Sequence, residues 1–337
     1  MNLEQLAAVA KAMVADNKGL LAADESTGTI GKRLDSISVK STENTRRDYR
    51  EMLFRSEGLG EYISGVILYD ETIRQNAADG TPLTGILGEQ GILPGIKVDT
   101  GAKALAGAED ERVTEGLDGL RDRVADYVLL GAKFAKWRAV ITIGDGMPSM
   151  YCINANAHAL ARYARICQEG GLVPIVEPEV LMDGTHSLDR CGHVTELTLQ
   201  RVFAELYDHG VALEGMILKP NMVIAGTDCT QQADVETVAT QTVESLRRTV
   251  PAAVPGIMFL SGGQSEADAS AHLNAMNANK DGLPWALSYS YGRALQASSL
   301  RAWGGDNSNN PAAQSQLLER ARQNSAACAA QYLGEAA

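Results

Sequence analysis

The chain has 337 residues, 45% of them hydrophobic, with 33 glycines and a formal net charge of −12. That length suits one large domain or two ordinary ones. The acidic balance argues against nucleic acid or an acidic membrane surface as a partner, since both call for basic patches, but it leaves an anionic small molecule open.

Taken in chain order, MNLEQLAAVAKAMVAD (1–16) predicts an amphipathic helix. Glu4 and Lys11 interrupt it too soon for a signal peptide, and no later apolar run approaches a membrane span, so the expectation is a cytoplasmic protein without membrane contact. Eight short apolar or β-branched runs follow: GLLAADE (19–25), YISGVILYDET (62–72), ILPGIKVD (92–99), FAKWRAV (134–140), LVPIVEPEV (172–180), GMILKPN (215–221), GIMFLSG (256–262) and WALSYSYG (285–292). Between them lie stretches such as GLDGLRDRVADYVLLG and NANAHALARYARICQEGG, with apolar residues at helical spacing and a terminal glycine. Eight strand–helix units of this length predict an α/β fold of the (β/α)8 barrel type, with parallel strands joined by right-handed crossovers. No linker or internal repeat divides the chain, so residues 1–337 are expected to form a single barrel domain, with 304–337 a polar turn and an Ala-rich C-terminal helix and tail. The cysteines at 152, 167, 191, 229 and 328 are odd in number and form no CxxC pair, a pattern of reduced thiols.

Active sites of this fold gather at the C-terminal ends of the strands. Those ends carry Asp24, Asp70 and Glu71, Lys97 and Asp99, Lys136 and Arg138, Glu177 and Glu179, Lys219, Ser261, and Arg293 beyond Ser290. Lys219 closes an apolar run, where an unpaired ammonium is costly. One reading is a lysine whose stem is buried and whose head pairs with a carboxylate. The other is a Schiff-base nucleophile, its amine released by an apolar strand and a second cation such as Lys136. Glu177 and Glu179 stand two residues apart, on one side of a strand. Beside Lys136 and Lys219 they serve either as general acid and base or as a structural ion-pair network. LAADEST adds Asp24 and Glu25, one of which can face the site.

FLSGGQS (259–265) and SYGRA (290–294) leave the seventh and eighth strands through glycine, where backbone N–H groups can approach an anion, and this is the usual phosphate cradle of the fold. Two other motifs fail. GTIGKR (28–33) has the wrong glycine spacing for a P-loop. His186, Cys191 and His193 lack an HxxEH or CxxC companion, so packing and capping account for them better than zinc ligation.

LLAADESTGTIGKR, GIKVDTG, FAKWRAV, IVEPEV, LKPNMV, FLSGGQSE and SYGRALQASSL resemble the motifs of class I fructose-1,6-bisphosphate aldolases, in the same order and at compatible spacing, from about residue 10 to residue 303. The resemblance implies a metal-independent lyase of glycolysis and gluconeogenesis, needing no cofactor. It would cleave fructose 1,6-bisphosphate reversibly to dihydroxyacetone phosphate and glyceraldehyde 3-phosphate. It implies that Lys219 attacks the C2 carbonyl, Glu177 moves protons during carbinolamine dehydration with Glu179 as its charged neighbour, Asp24 deprotonates the C4 hydroxyl, and Lys136 balances the charges. It assigns Ser261, Gly262, Gly292 and Arg293 to the C1-phosphate, and Ser26, Thr29, Arg33, Lys97 and Arg138 to the C6-phosphate side. The family is commonly homotetrameric. Many members end in a tyrosine that assists proton exchange, whereas here Tyr332 precedes five further residues. Two competing readings are a Schiff-base barrel acting on a monophosphate or unphosphorylated keto sugar, and a binding protein on an aldolase-like fold. The second predicts loss of Lys219, Glu177 or Asp24, and all three are present.

Overall fold

The computed structural model describes residues 2–334. Helix α1 (Leu3–Met13) is capped by Asn2, whose side chain accepts from Gln5 N–H at 3.1 Å. Strand β1 (Gly19–Ala23) leads into α2 (Thr27–Asp35) and α3 (Glu43–Phe54); β2 (Ile63–Leu68) leads into α4 (Asp70–Ile73) and α5 (Leu83–Glu89). After β3 (Leu93–Lys97) come a hairpin of β4 (Ala102–Leu105) and β5 (Ala108–Thr114), then α6 (Leu120–Leu129). The remaining units are β6 (Phe134–Ile141) with α7 (Met150–Glu169), β7 (Val173–Val180) with α8 (Leu188–Asp208), and β8 (Ile217–Leu218) with α9 (Val235–Thr249). They close with β9 (Gly256–Phe259) and α10 (Glu266–Ala278), β10 (Ala286–Tyr291) and α11 (Arg293–Trp303), then α12 (Asn310–Cys328). Ser149, Ser187, Asp234 and Ser265 cap α7 to α10 by accepting from the N–H three residues on, which occupies a donor the helix cannot satisfy itself.

Eight strands pair in parallel in the closed order β1-β10-β9-β8-β7-β6-β3-β2, a (β/α)8 barrel. Each predicted strand run contains one of them. The hairpin β4–β5 is a departure, since helical sequence was expected to follow each barrel strand directly. It turns at Ala106–Gly107, with Gly107 at φ +79°, and its first strand is largely exposed. Little apolar alternation therefore marks it in the sequence.

The two-residue period of a strand explains how the barrel interior changes with height. Inward-facing Leu20 and Ala22, Phe134, Val173 and Ile175, Ile217, and Met258 form an apolar plug. Leu6, Ala10 and Met13 of α1 close that plug from below. Two residues further along each strand the same face carries Asp24, Lys136, Glu177 and Lys219. Outward-facing Leu21, Ala23, Ala135, Trp137, Val176 and Leu218 belong to the main core against the helices. Phe134 fills the plug only because β2 and β3 present glycines: a methyl on Gly65 would lie 2.9 Å from its Cε1, and one on Gly95 would overlap its ring. The Ala-rich C-terminal helix joins this core, with Ala313, Leu317 and Ala321 buried and Ser299 Oγ–H donating to the Ala313 carbonyl at 2.8 Å. All five cysteines are free thiols.

Candidate active site

Every residue to which the family resemblance assigns a role lines one cavity of about 1180 Å³ at the C-terminal end of the barrel. Nine basic side chains face six acidic ones on its wall, although the whole chain carries −12. The cavity is thus a cationic focus in an acidic protein, suited to an anionic ligand.

At its floor lies a chain of four charges, three of them buried and the fourth, Asp24, half-buried. Asp24 Oδ2 is 2.6 Å from Lys136 Nζ, Lys136 Nζ is 3.4 Å from Glu177 Oε2, and Glu177 Oε1 is 3.2 Å from Lys219 Nζ. Lys219, Glu177 and Lys136 are each at most 4% exposed. Backbone pairing sets this arrangement. Lys219 N–H donates to the Val176 carbonyl at 2.8 Å, and the β6–β7 ladder sets Arg138 opposite Glu177. In that ladder Lys136 and Glu177 lie on one inward face, and Lys136 is also paired with Lys97 of β3.

The charges tune one another. Burial alone raises the Asp24 carboxyl, but the positive charges of Lys136, Lys219 and Lys97 outweigh it and bring the group from 3.8 down to about 2. Burial likewise raises Glu177, yet Lys136, Lys219 and Arg138 hold it below the usual carboxylate range. Burial disfavours the Lys136 ammonium, but Asp24, Glu177 and Asp99 together raise its pKa. Asp24 and Glu177 therefore rest as carboxylates at neutral pH, able to accept protons, while Lys136 rests as the cation between them.

Around this floor, Glu179 pairs with Arg138, and Lys97 Nζ pairs with Asp99 Oδ1 at 2.6 Å. On one side, Ser26 caps α2, its Oγ accepting from Thr29 N–H at 3.4 Å, and Arg33 projects from the last turn of that helix. On the other, Ser261 lies two residues beyond β9, and Gly262 and Gly263 take φ +57° and +91°, a left-handed pair that turns the backbone across the mouth. Gly292 precedes α11 without a side-chain cap and lines the same cavity as Gly262, which puts the uncapped start of that helix at the cavity wall. Arg293 is exposed and has no carboxylate partner among the described residues.

Several side chains depart from their sequence expectation. Glu71 does not line the cavity; it forms a two-bond pair with Arg46, so it is structural. Asp70 reaches the cavity wall but is held by Arg74 at 3.0 Å and Tyr127 at 2.8 Å. Of Asp24 and Glu25, Asp24 joins the chain of charges. Glu25 instead receives Arg33, Gln296 Nε2 at 3.1 Å and the fully buried Arg50 at 3.3 Å. Arg50 and Gln296 carried no signal in the sequence, because both arrive from helices remote in the chain. Gln264, inside the FLSGGQS motif, braces the same turn: its amide donates to the Ser261 carbonyl at 3.0 Å and its oxygen meets His272 at 2.6 Å. Tyr332 lies away from the cavity wall. Its N–H donates to Asn274 at 2.9 Å, and its side chain packs on the main core; residues 335–337 lie outside the described residues.

Known proteins resemble this chain in sequence and in fold. The family model for fructose-bisphosphate aldolase class-I matches residues 5–337. A probable class 1 fructose-bisphosphate aldolase of Xylella fastidiosa strain Temecula1 is 56% identical over 335 residues, spanning 99% of this chain and 100% of that protein. The cytosolic fructose-bisphosphate aldolase 4 of Arabidopsis thaliana is 54% identical over 319 residues, spanning 95% of this chain and 81% of that protein. A solved structure of the Plasmodium falciparum aldolase, in complex with TRAP and a small-molecule inhibitor, superposes with a TM-score of 0.97 at 50% identity, covering 99% of this chain and 96% of that one. With its barrel, its cationic cavity and a match along almost its full length, this chain belongs to the class I fructose-bisphosphate aldolases.

Proposed function

We propose that this aldolase works through a Schiff base on Lys219, with fructose 1,6-bisphosphate as the substrate. The observation that carries the reading is the row Lys219–Glu177–Lys136–Asp24, its first three members buried, with successive separations of 3.2, 3.4 and 2.6 Å. It sets an amine, a proton acceptor beside it and a second base within one cavity.

Glu177 takes the ammonium proton, and the Lys219 nitrogen adds to the C2 ketone as the carbonyl electrons move to oxygen. Returning protons through Glu177 lets that oxygen leave as water and forms the C2 iminium. Asp24 then accepts the C4 hydroxyl proton. The O–H electrons become the aldehyde carbonyl, the C3–C4 bond breaks, and its electron pair enters a C2–C3 enamine that neutralises the iminium. Glyceraldehyde 3-phosphate departs; protonation at C3 and hydrolysis release dihydroxyacetone phosphate. Lys136 stays charged throughout, keeping two carboxylates together in a dry site.

The phosphates anchor the ends of the substrate. Ser261, Gly262, Gly292 and Arg293 hold the C1-phosphate by hydroxyl, backbone N–H and guanidinium donors. Ser26, Thr29, Arg33, Lys97 and Arg138 serve the C6-phosphate side, with Arg33 and Lys97 turning from their resting carboxylates towards the ligand. Glu179 holds Arg138 in place. Membership of the family also supports a homotetramer in the cytoplasm, and relatives from Arabidopsis and pea are named cytosolic or cytoplasmic. Among the described residues no helix is long and apolar enough to cross a membrane.

Reduction with borohydride in the presence of dihydroxyacetone phosphate tests the reading. A single adduct on Lys219 by peptide mass spectrometry is expected, and none in Lys219→Met. No adduct, or an adduct on another lysine, overturns it.

A further inference from the structure

Outside the catalytic cavity, two of the five histidines converge on one glutamate. His158 projects from α7, while Glu205 and His209 lie one turn apart at the end of α8. His158 Nδ1 is 3.0 Å and His209 Nδ1 3.5 Å from Glu205 Oε2. One ligand atom from each residue lies within 4.8 Å of the others, and this is the one such cluster of three among the described residues. His186 and Cys191, by contrast, are buried and His193 is exposed, and they form no such cluster.

We propose that His158, Glu205 and His209 form a surface site for a zinc-class divalent transition-metal ion, bridging α7 and α8. Three features support it. The rings are 4.9 Å apart, centroid to centroid, at 71°. Two imidazoles bound tetrahedrally at a metal–nitrogen distance of about 2 Å place their centroids roughly 5 Å apart, so the observed spacing needs little adjustment. Second, Nδ1 of His209 also sits 2.8 Å from the Glu205 carbonyl. That contact holds the imidazole over Glu205, and the same nitrogen, 3.5 Å from Glu205 Oε2, would leave the carbonyl to take the ion. Third, the side chains of Glu205 and His209 are 30% and 24% exposed and that of His158 51%, which leaves access for the ion and room for water as a fourth ligand. Two imidazoles and one carboxylate favour Zn²⁺, Ni²⁺ or Cu²⁺ over Mg²⁺ or Ca²⁺, which take oxygen ligands. None of the three residues lines the catalytic cavity. The site is accordingly separate from the Schiff-base chemistry and predicts no effect of its loss on turnover.

The test is calorimetric titration of the metal-free full-length protein with Zn²⁺, beside Mg²⁺ as a control. One equivalent of Zn²⁺ is expected to bind with micromolar affinity and raise the melting temperature. His158→Ala and His209→Ala should each weaken binding about tenfold or more, with circular dichroism and cleavage activity unchanged. Cys229→Ser, which removes the one incompletely buried thiol, should leave binding intact. Failure of Zn²⁺ to saturate one site, or equal binding by the His158→Ala/His209→Ala double variant, overturns the proposal.

Discussion

Replacing Asp24 by Asn keeps the shape of the side chain and removes the charge that faces Lys136 at 2.6 Å. The carboxyl is held at about 2, against an ordinary 3.8. Its ionised form therefore contributes about 2 kcal/mol to folding at neutral pH. A depressed carboxyl pKa gives stability that is fully present above the unfolded value and is lost as pH falls through the folded one. Asp24→Asn should thus be less stable than the parent by about 2 kcal/mol at pH 5 to 8, with roughly half of that deficit left at pH 3 as the parent carboxyl protonates. Urea titrations at each pH measure the difference directly. A deficit that stays constant from pH 7 to pH 3, or none at pH 7, would show that the pairing does not stabilise the fold. The same variant should cleave substrate about a hundredfold or more slowly, while still trapping dihydroxyacetone phosphate on Lys219, because in the proposed mechanism the imine forms before Asp24 acts.

Two further substitutions probe the walls of the cavity and its floor. Arg293 has no carboxylate partner to release, so Arg293→Ala should lose one charge-assisted phosphate contact, roughly 1.5–3 kcal/mol. Steady-state kinetics should show this as a rise of about tenfold to a hundredfold in KM, with a smaller fall in kcat; an unchanged KM argues against a phosphate role. Gly95→Ala drives a methyl into the Phe134 ring at the centre of the plug. Thermal or urea unfolding should register a loss of about 1–3 kcal/mol or more from overpacking, and a Phe134→Leu second change should restore part of it. Wild-type stability in Gly95→Ala would mean the plug has slack that these positions do not suggest.

The barrel is legible because parallel strands buried on both faces appear as unbroken apolar runs, and because interior residues follow a two-residue period. Val173, Ile175, Glu177 and Glu179 form one such row, rising from hydrocarbon to charge. Lys219 is visible for the same reason, as a charge where the pattern calls for another apolar side chain. Local pattern stops short where partners come from far away in the chain. It could not tell Asp24 from Glu25, since the choice depends on Arg50 and Gln296 waiting behind the first strand. Nor could it see that Glu71 is claimed by Arg46. The first strand of the hairpin, β4, is exposed except at Leu105 and so leaves no apolar signature.

The helix at the start of the chain has a consequence for traffic. Leu6, Ala10 and Met13 stop the lower end of the barrel with hydrocarbon, so nothing polar can pass beneath Lys219. The two triose products must leave by the one doorway through which the hexose came in. Under the Schiff-base mechanism proposed above, the fragment bonded to Lys219 would lie deeper than the free aldehyde, so the aldehyde would go first and the ketose would follow once its bond to nitrogen is cut.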